Sequence, residues 1–352
     1  HITDFSTKYT VKNLPFWVYT YVPNGSLLDS VYFFYTGGKG IDILCLEEPY
    51  LFDPVRITNE EFKLKFADTK IRVFSSYYGG LSSIKQHIEE NEKLSGDNVE
   101  RIYFPLFFLY FTFHLNPNID FNAPRSYIPK LDKHFTFLAN QPRLHRIVML
   151  DKLAKYELLE NTIYSFNTDK SESSLKYTLN HNLKYQPSHF DFKQHKPEQD
   201  KDLVYTSEPK LACTVQRVHT DSALSIATET VYQTPHFTEK TFLPLLMGKP
   251  VVVHGGVNSN TILKEFGFKL HDGIINYEFD SKTSIIERSE LLGKELNRLK
   301  NKYTEQQLYD ELKDVANFNK GRAKEIIFNL KYIPTELLEL NSKFKEESIW
   351  KT

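Results

Sequence analysis

The chain has 352 residues, of which 40% are hydrophobic and 25% charged, a composition that excludes a wholly disordered protein and suffices for one large or two ordinary domains. Lys and Arg total 44 against 45 Asp and Glu, a formal net charge of -1, which excludes a surface dedicated to nucleic acid and leaves room for a local basic cleft. Only two cysteines occur, Cys45 and Cys213; they exclude a disulfide framework and a cysteine zinc site, and they fit a reducing, cytoplasmic setting.

In the first part of the chain, residues 16–22, 30–35, 41–46 and 70–75 cluster β-branched and aromatic side chains and are predicted strands. Pro23-Asn24-Gly25 and Gly37-Gly38-Lys39-Gly40 supply turn chemistry between them. Residues 82–93 have helical spacing, so residues 1–128 are expected to form an α/β domain. The most apolar run, residues 102–115, is shorter than the roughly 20 residues of a spanning helix. Pro105 and Asn116-Pro117 frame it as a buried core element. No membrane span and no signal peptide are therefore expected, and only peripheral membrane contact is left open.

From residue 129 the pattern changes. Residues 134–139 are a predicted strand, and residues 142–156 a helix with Leu144, Ile147, Val148 and residues 150–153 on its apolar side. Residues 162–166 make the next strand. Residues 168–202, rich in Ser, His, Lys and Asp, form an inserted loop region with room for one helix. Strand 224–228, helix 239–247, strand 250–254 and helix 261–266 follow, then mostly helical, charged residues over 284–319 and 320–341. Such alternation predicts a parallel sheet covered on both faces. The expected donor-side unit spans residues 129–330, with residues 331–352 as a C-terminal helical tail.

Common motifs are missing: there is no Walker A sequence, no HExxH and no GxSxG, and Gly37 to Gly40 lack the spacing of a dinucleotide fingerprint. Asp200-Lys201-Asp202 matches a short manganese-holding DxD pattern, but its strongly polar surroundings read as a solvated loop. The twelve histidines show no metal-ligand spacing. No metal and no resident cofactor are expected.

The segment from Leu224 to Phe268 carries more information. Leu224-Ser-Ile-Ala-Thr-Glu229 ends a strand on a carboxylate, and Thr238-Glu239-Lys240 opens a helix. Thr238 is a natural N-cap and Glu239 suits the positive end of the helix, whereas Lys240 opposes the macrodipole. Two readings of Lys240 stand. It is a solvent-facing charge that tolerates its place, or it lies with the helix-terminal N–H groups beside a diphosphate at the carboxyl edge of the sheet.

A strand ending in Glu229, a Thr-Glu-Lys helix start and Gly248-Lys-Pro-Val-Val together resemble the donor-binding signature of the α-1,3-fucosyltransferases. They also resemble bacterial and viral relatives with a Thr-Glu-Lys-Thr-x-x-Pro segment. In that family a Phe-Glu-Asn-Ser strand end precedes the Thr-Glu-Lys start, with the two glutamates ten positions apart, as Glu229 and Glu239 are; Thr230 departs from the family's Asn. A second piece is Phe137-Leu-Ala-Asn140-Gln-Pro-Arg143-Leu-His-Arg146, similar to the strand, Ser-Asn turn and helical Arg that begin the family's donor domain. That Arg contacts the nucleotide diphosphate; Arg146 corresponds to it by position, with Arg143 as the fallback. The resemblance covers residues 133–270 and leaves the first 130 unmatched.

The resemblance implies a GT-B-like α/β fold, two Rossmann-like domains facing a cleft, with the acceptor side first. It implies an enzyme that transfers a fucose-like or other sugar from a nucleoside-diphosphate sugar to a glycan hydroxyl, inverting and metal-independent. The implied donor-binding residues are Asn140, Arg143, Arg146, Glu229, Thr238, Glu239, Lys240, Gly255 and Gly256. The cations would stabilise the leaving diphosphate, Glu239 would hold ribose or sugar hydroxyls, and the two glycines would let the backbone approach the donor. In the family the base that deprotonates the acceptor comes from the first domain. Glu47 and Glu48, between strand 41–46 and Pro49, are candidates for it, or are ordinary strand-end charges. The expected partners are a nucleotide sugar and a glycan, with no nucleic acid. Alternatives are a UDP-hexose or UDP-pentose transferase of the same fold, and a non-catalytic glycan-binding or structural protein.

Overall fold

The structure, a computed structural model, describes residues 131–139, 143–166, 185, 187–192, 221–230, 232 and 235–328, and the backbone of five strands before them. Glu47, Glu48, Asn140, the expected helix over 82–93, the Asp200-Lys201-Asp202 motif and the tail over 331–352 lie outside the described residues. The chain divides into two compact units, His1–His114 with Ile326–Thr352, and Leu115–Glu325.

In the first unit, β1 (Tyr19–Tyr21), β2 (Val31–Thr36), β3 (Gly40–Cys45), β4 (Ile71–Ser75) and β5 (Val99–Tyr103) form one sheet in chain order. The β1–β2 and β2–β3 pairs are antiparallel, and β3–β4 and β4–β5 are parallel. The first four fall on the predicted strands. Glu100 and Arg101 interrupt the apolar pattern of β5, which has no counterpart among the predicted strands.

The second unit is an α/β domain. Its described strands are β6 (Lys133–Ala139), β7 (Thr162–Phe166), β8 (Ser222–Thr228) and β9 (Val251–His254), all parallel, in the order β7-β6-β8-β9. Every residue of β8 is buried, as expected of a central parallel strand covered on both faces. Phe135 and Phe137 of β6, Leu224 and Ile226 of β8, and Val252 of β9 join one hydrophobic cluster with residues from the helices.

Among the described residues, five α-helices alternate with and follow these strands: α1 (Leu144–Lys155), α2 (Glu239–Met247), α3 (Ser259–Leu263), α4 (Ile285–Lys302) and α5 (Glu305–Phe328). The ends of α2 follow local chemistry. The Thr238 hydroxyl accepts from the Lys240 N–H, and Gly248, at φ 74°, takes the left-handed turn that closes the helix. In α3 a distant residue does this work. Asp280 accepts from the Asn260 and Thr261 N–H groups at 3.0 and 2.9 Å, so the helix starts at Ser259 rather than at the expected Thr261.

Side chains tie the helices to one another and to the sheet. Helix α1 packs on α4, where Glu290 accepts from Lys155 Nζ at 2.6 Å and the Tyr156 hydroxyl at 2.5 Å and pairs with Lys152 at 3.1 Å. Gly293 makes the close approach possible: a Cβ there would lie 2.9 Å from the Tyr156 ring. Asp151 of α1 gathers the N–H groups of Ser188, His189 and Phe190 and the Tyr185 hydroxyl. His134 in β6 lies between the Tyr303 carbonyl and the Glu305 carboxylate, each at 2.9 Å. Asn260 covers the outer edge of β9: its amide oxygen accepts from the Val253 N–H and its amide N–H donates to the Val253 carbonyl, both at 2.8 Å. Among the described residues no helix is long and apolar enough to cross a membrane.

Candidate functional site

In an open parallel sheet, ligands bind outside the carboxyl ends of the strands where the strand order reverses. With the order β7-β6-β8-β9, that point lies between β6 and β8. The residues following these two strands, and those following β9 beside them, therefore define the candidate site.

Glu229, directly after β8, is fully buried. Its Oε1 accepts from the Thr238 N–H at 3.1 Å and from the Thr241 hydroxyl, and its Oε2 from the Thr238 hydroxyl at 2.5 Å. The carboxylate thus occupies the positive start of α2, where helix N–H groups favour an anion. Burial raises its pKa, against the opposing pull of Lys240 and of the Thr238 and Thr241 hydrogen bonds. Lys240 is part-buried, its Nζ 3.5 Å from the Thr238 hydroxyl. Glu239 is the first residue of α2; its side chain lies outside the described residues.

Helix α1 approaches the same strand end. Arg146, 2% exposed, donates from Nε to the Thr228 hydroxyl at 2.9 Å and from Nη2 to the Thr228 and Glu229 carbonyls at 3.2 and 3.3 Å. Arg143, at the mouth of the helix and part-buried, donates from Nη1 to the Thr230 carbonyl at 2.9 Å. Both candidate arginines therefore hold the loop after β8, and Arg143 is the less buried of the two.

Two imidazoles lie among these groups. His145 Nε2 donates to the Glu229 carbonyl at 2.6 Å. Ser289 donates its hydroxyl proton to the Ile285 carbonyl, so at 2.9 Å its oxygen accepts from His254 Nε2. Both rings thus carry their proton on Nε2, and each Nδ1 is an acceptor with no hydrogen-bond partner among the described residues. Burial holds His145 well below the ordinary range, with Arg146 and His254 adding to it. Burial and Arg288 push His254 down to about 3. Both are neutral at physiological pH.

After β9 the chain turns through Gly255 and Gly256. A Cβ on Gly255 would come within 3.2 Å of the Glu229 Cβ and 3.3 Å of the Ser259 hydroxyl, so close packing against Glu229 accounts for glycine here. The Gly256 carbonyl accepts from the Ser259 hydroxyl at 2.8 Å. Arg288, in the first turns of α4, donates to the Gly255 carbonyl and, at 3.1 Å, to the Tyr232 carbonyl.

Arg143, Arg146, Glu229, Thr238, Lys240 and Gly255, all anticipated from sequence, thus meet around the end of β8. His145, His254 and Arg288 join them without any mark in the sequence beyond their type. Arg288 in particular is one of eight charged residues in its helix, only two of which, Arg288 and Glu295, are buried. Arg143, Arg146 and Arg288 therefore hold the backbone around this strand end, and Lys240 is the cation that acts on the buried Glu229 carboxylate. Among the described residues no cluster of three or more His, Cys, Asp or Glu could hold a metal ion. Ser188, His189 and Asp151 do not form a nucleophilic triad, because the same His189 Nδ1 faces both the serine at 2.9 Å and the carboxylate at 3.5 Å. Comparison of the chain with models of known protein families, with curated proteins and with solved structures gives no match.

Proposed function

We propose that the protein is a nucleotide-sugar-dependent glycosyltransferase whose donor diphosphate binds at the carboxyl edge of β6 and β8. One observation carries the reading. The residue types expected to meet a diphosphate, Arg143, Arg146 and Lys240, converge at the switch point of a parallel sheet, beside the start of a helix. Departure of a nucleoside diphosphate builds negative charge on its phosphates while the sugar becomes cationic, and fixed cations offset that charge. Lys240 and the less buried Arg143 are the side chains proposed to touch the phosphates, with Arg146 holding the strand end that orients them. The transfer is proposed to be inverting and metal-independent, to a glycan hydroxyl, with Glu47 or Glu48 as base, in a GT-B-like arrangement.

The test is titration of the full chain with a panel of nucleoside diphosphates and their sugars, followed by assay of donor hydrolysis. At least one nucleotide should bind, and Lys240→Ala should weaken it by about tenfold or more, the scale of one charge-assisted contact. Absence of binding across the panel, with Lys240→Ala indistinguishable from wild type, would rule the reading out. The preferred base separates a fucose-type donor from a UDP-hexose or UDP-pentose. A second reading, a glycan-binding or structural protein that keeps the fold, is favoured by the inward engagement of Glu229 and Arg146. It predicts glycan binding that no nucleotide affects.

A further inference from the structure

We infer that Arg288 is a positioning residue of the donor site, fixing the two backbone turns that follow β8 and β9 and so setting nucleotide affinity without touching the nucleotide. The inference rests on the nucleotide-sugar reading above. Arg288 is 1% exposed, and all its hydrogen bonds among the described residues go to backbone carbonyls. Nε and Nη2 donate to the Lys282 carbonyl at 3.0 and 2.7 Å, while Nη1 spans the Tyr232 and Gly255 carbonyls. One planar guanidinium therefore joins three separate stretches: the loop after β8, the turn after β9, and the entry to α4.

A lysine cannot replace this. Its ammonium is a compact point charge on a flexible stem and does not reproduce the rigid fork. Burial lowers the pKa of Arg288 to about 10, yet it stays charged at neutral pH, so a full positive charge is kept in the core to hold carbonyls. The linkage continues beyond Gly255. That residue packs so tightly on Glu229 that a Cβ would lie 3.2 Å from it, and Glu229 in turn holds Thr238 and Thr241 at the start of α2. The neighbouring Ser289 fixes His254, the last residue of β9. A displaced Gly255 would accordingly shift the Glu229 carboxylate and the Lys240 beside it.

The experiment compares three full-length proteins, wild type, Arg288→Lys and Gly293→Ala, using guanosine and uridine diphosphates as probes. Gly293→Ala strains the same helix against Tyr156, away from the carboxyl edge, and serves as a stability comparison. Arg288→Lys should keep a cooperative melt but lose about tenfold in nucleotide affinity, with donor KM raised and kcat nearly unchanged. Gly293→Ala should lower the melting temperature and leave affinity within about twofold. Wild-type affinity in Arg288→Lys overturns the inference, as does an equal affinity loss in Gly293→Ala at matched melting temperature. Should Arg288→Lys fail to fold, hydrogen exchange on the wild type decides: bound nucleotide should slow exchange around Tyr232 and Gly255, and unchanged exchange there overturns the inference. If the wild type binds no nucleoside diphosphate, the underlying reading falls and this one with it.

Discussion

At the residue scale, Glu229 shows how one side chain can be both a plausible site residue and a structural one. Its carboxylate is out of water, and three hydrogen bonds from Thr238 and Thr241 stabilise the ionised form that burial penalises. Removing one donor should therefore be costly. Thr241→Val keeps the shape and deletes the hydroxyl, and should destabilise the fold by about 1 kcal/mol, the worth of a typical buried hydrogen bond. The pKa of Glu229, already raised, should rise further. A carboxyl with a raised folded-state pKa loses stability as pH rises through that value, so the variant's deficit should narrow in acid, where the protonated group needs fewer donors. Denaturant unfolding at several pH values measures this, and a deficit that does not vary with pH would contradict it.

At the scale of elements, the α1–α4 contact combines a steric and an electrostatic device. Gly293 admits the Tyr156 ring, and Glu290 holds the hydroxyl of that ring together with Lys152 and Lys155. These partners lower the pKa of Glu290 to about 2 against the opposing effect of its partial burial. The stability it contributes is present above the ordinary carboxylate range and is lost as pH falls towards 2. Glu290→Gln should cost about 1 kcal/mol at neutral pH, allowing for partial exposure. The gap to wild type should close between about pH 4.5 and pH 2; a gap still open at the acid end of the unfolding series would show that the charge is not its source. Elements of this unit were legible where their signals are local. Helix α2 occupies the expected residues 239–247 because Thr238 and Gly248 cap it from adjacent positions. The start of α3 was not legible, because its capping Asp280 comes from about twenty residues downstream.

At the scale of the whole molecule, the parallel sheet of the second unit follows from strand and helix alternation, which is a property of the sequence. Its strand order is not: that β6 lies between β7 and β8 depends on long-range pairing. The site shares this division. The positions of Arg146 and Glu229 could be read from their motifs, but not that each directs its hydrogen bonds into the protein, since both share the end of β8 as a partner only once the sheet has formed. Arg288 was illegible for the same reason: nothing local distinguishes the one buried guanidinium in a charged helix from its exposed neighbours.

The amide of Asn260 has a consequence for how the end of this sheet is completed. β9 ends the sheet among the described residues, and an end strand with bare N–H and C=O groups is a template for another chain. Asn260 answers both groups of Val253 with a side chain, as a neighbouring strand would. Asn260→Leu would keep the bulk but leave that pair buried without partners, since Val253 and Asn260 are each 1% exposed. The variant should lose about 2 kcal/mol of stability, the cost of stranding buried backbone groups, measured by denaturant unfolding; unchanged stability would show that the amide does not complete the edge. The last strand is thus finished from within, by a side chain that stands in for the backbone of a further strand.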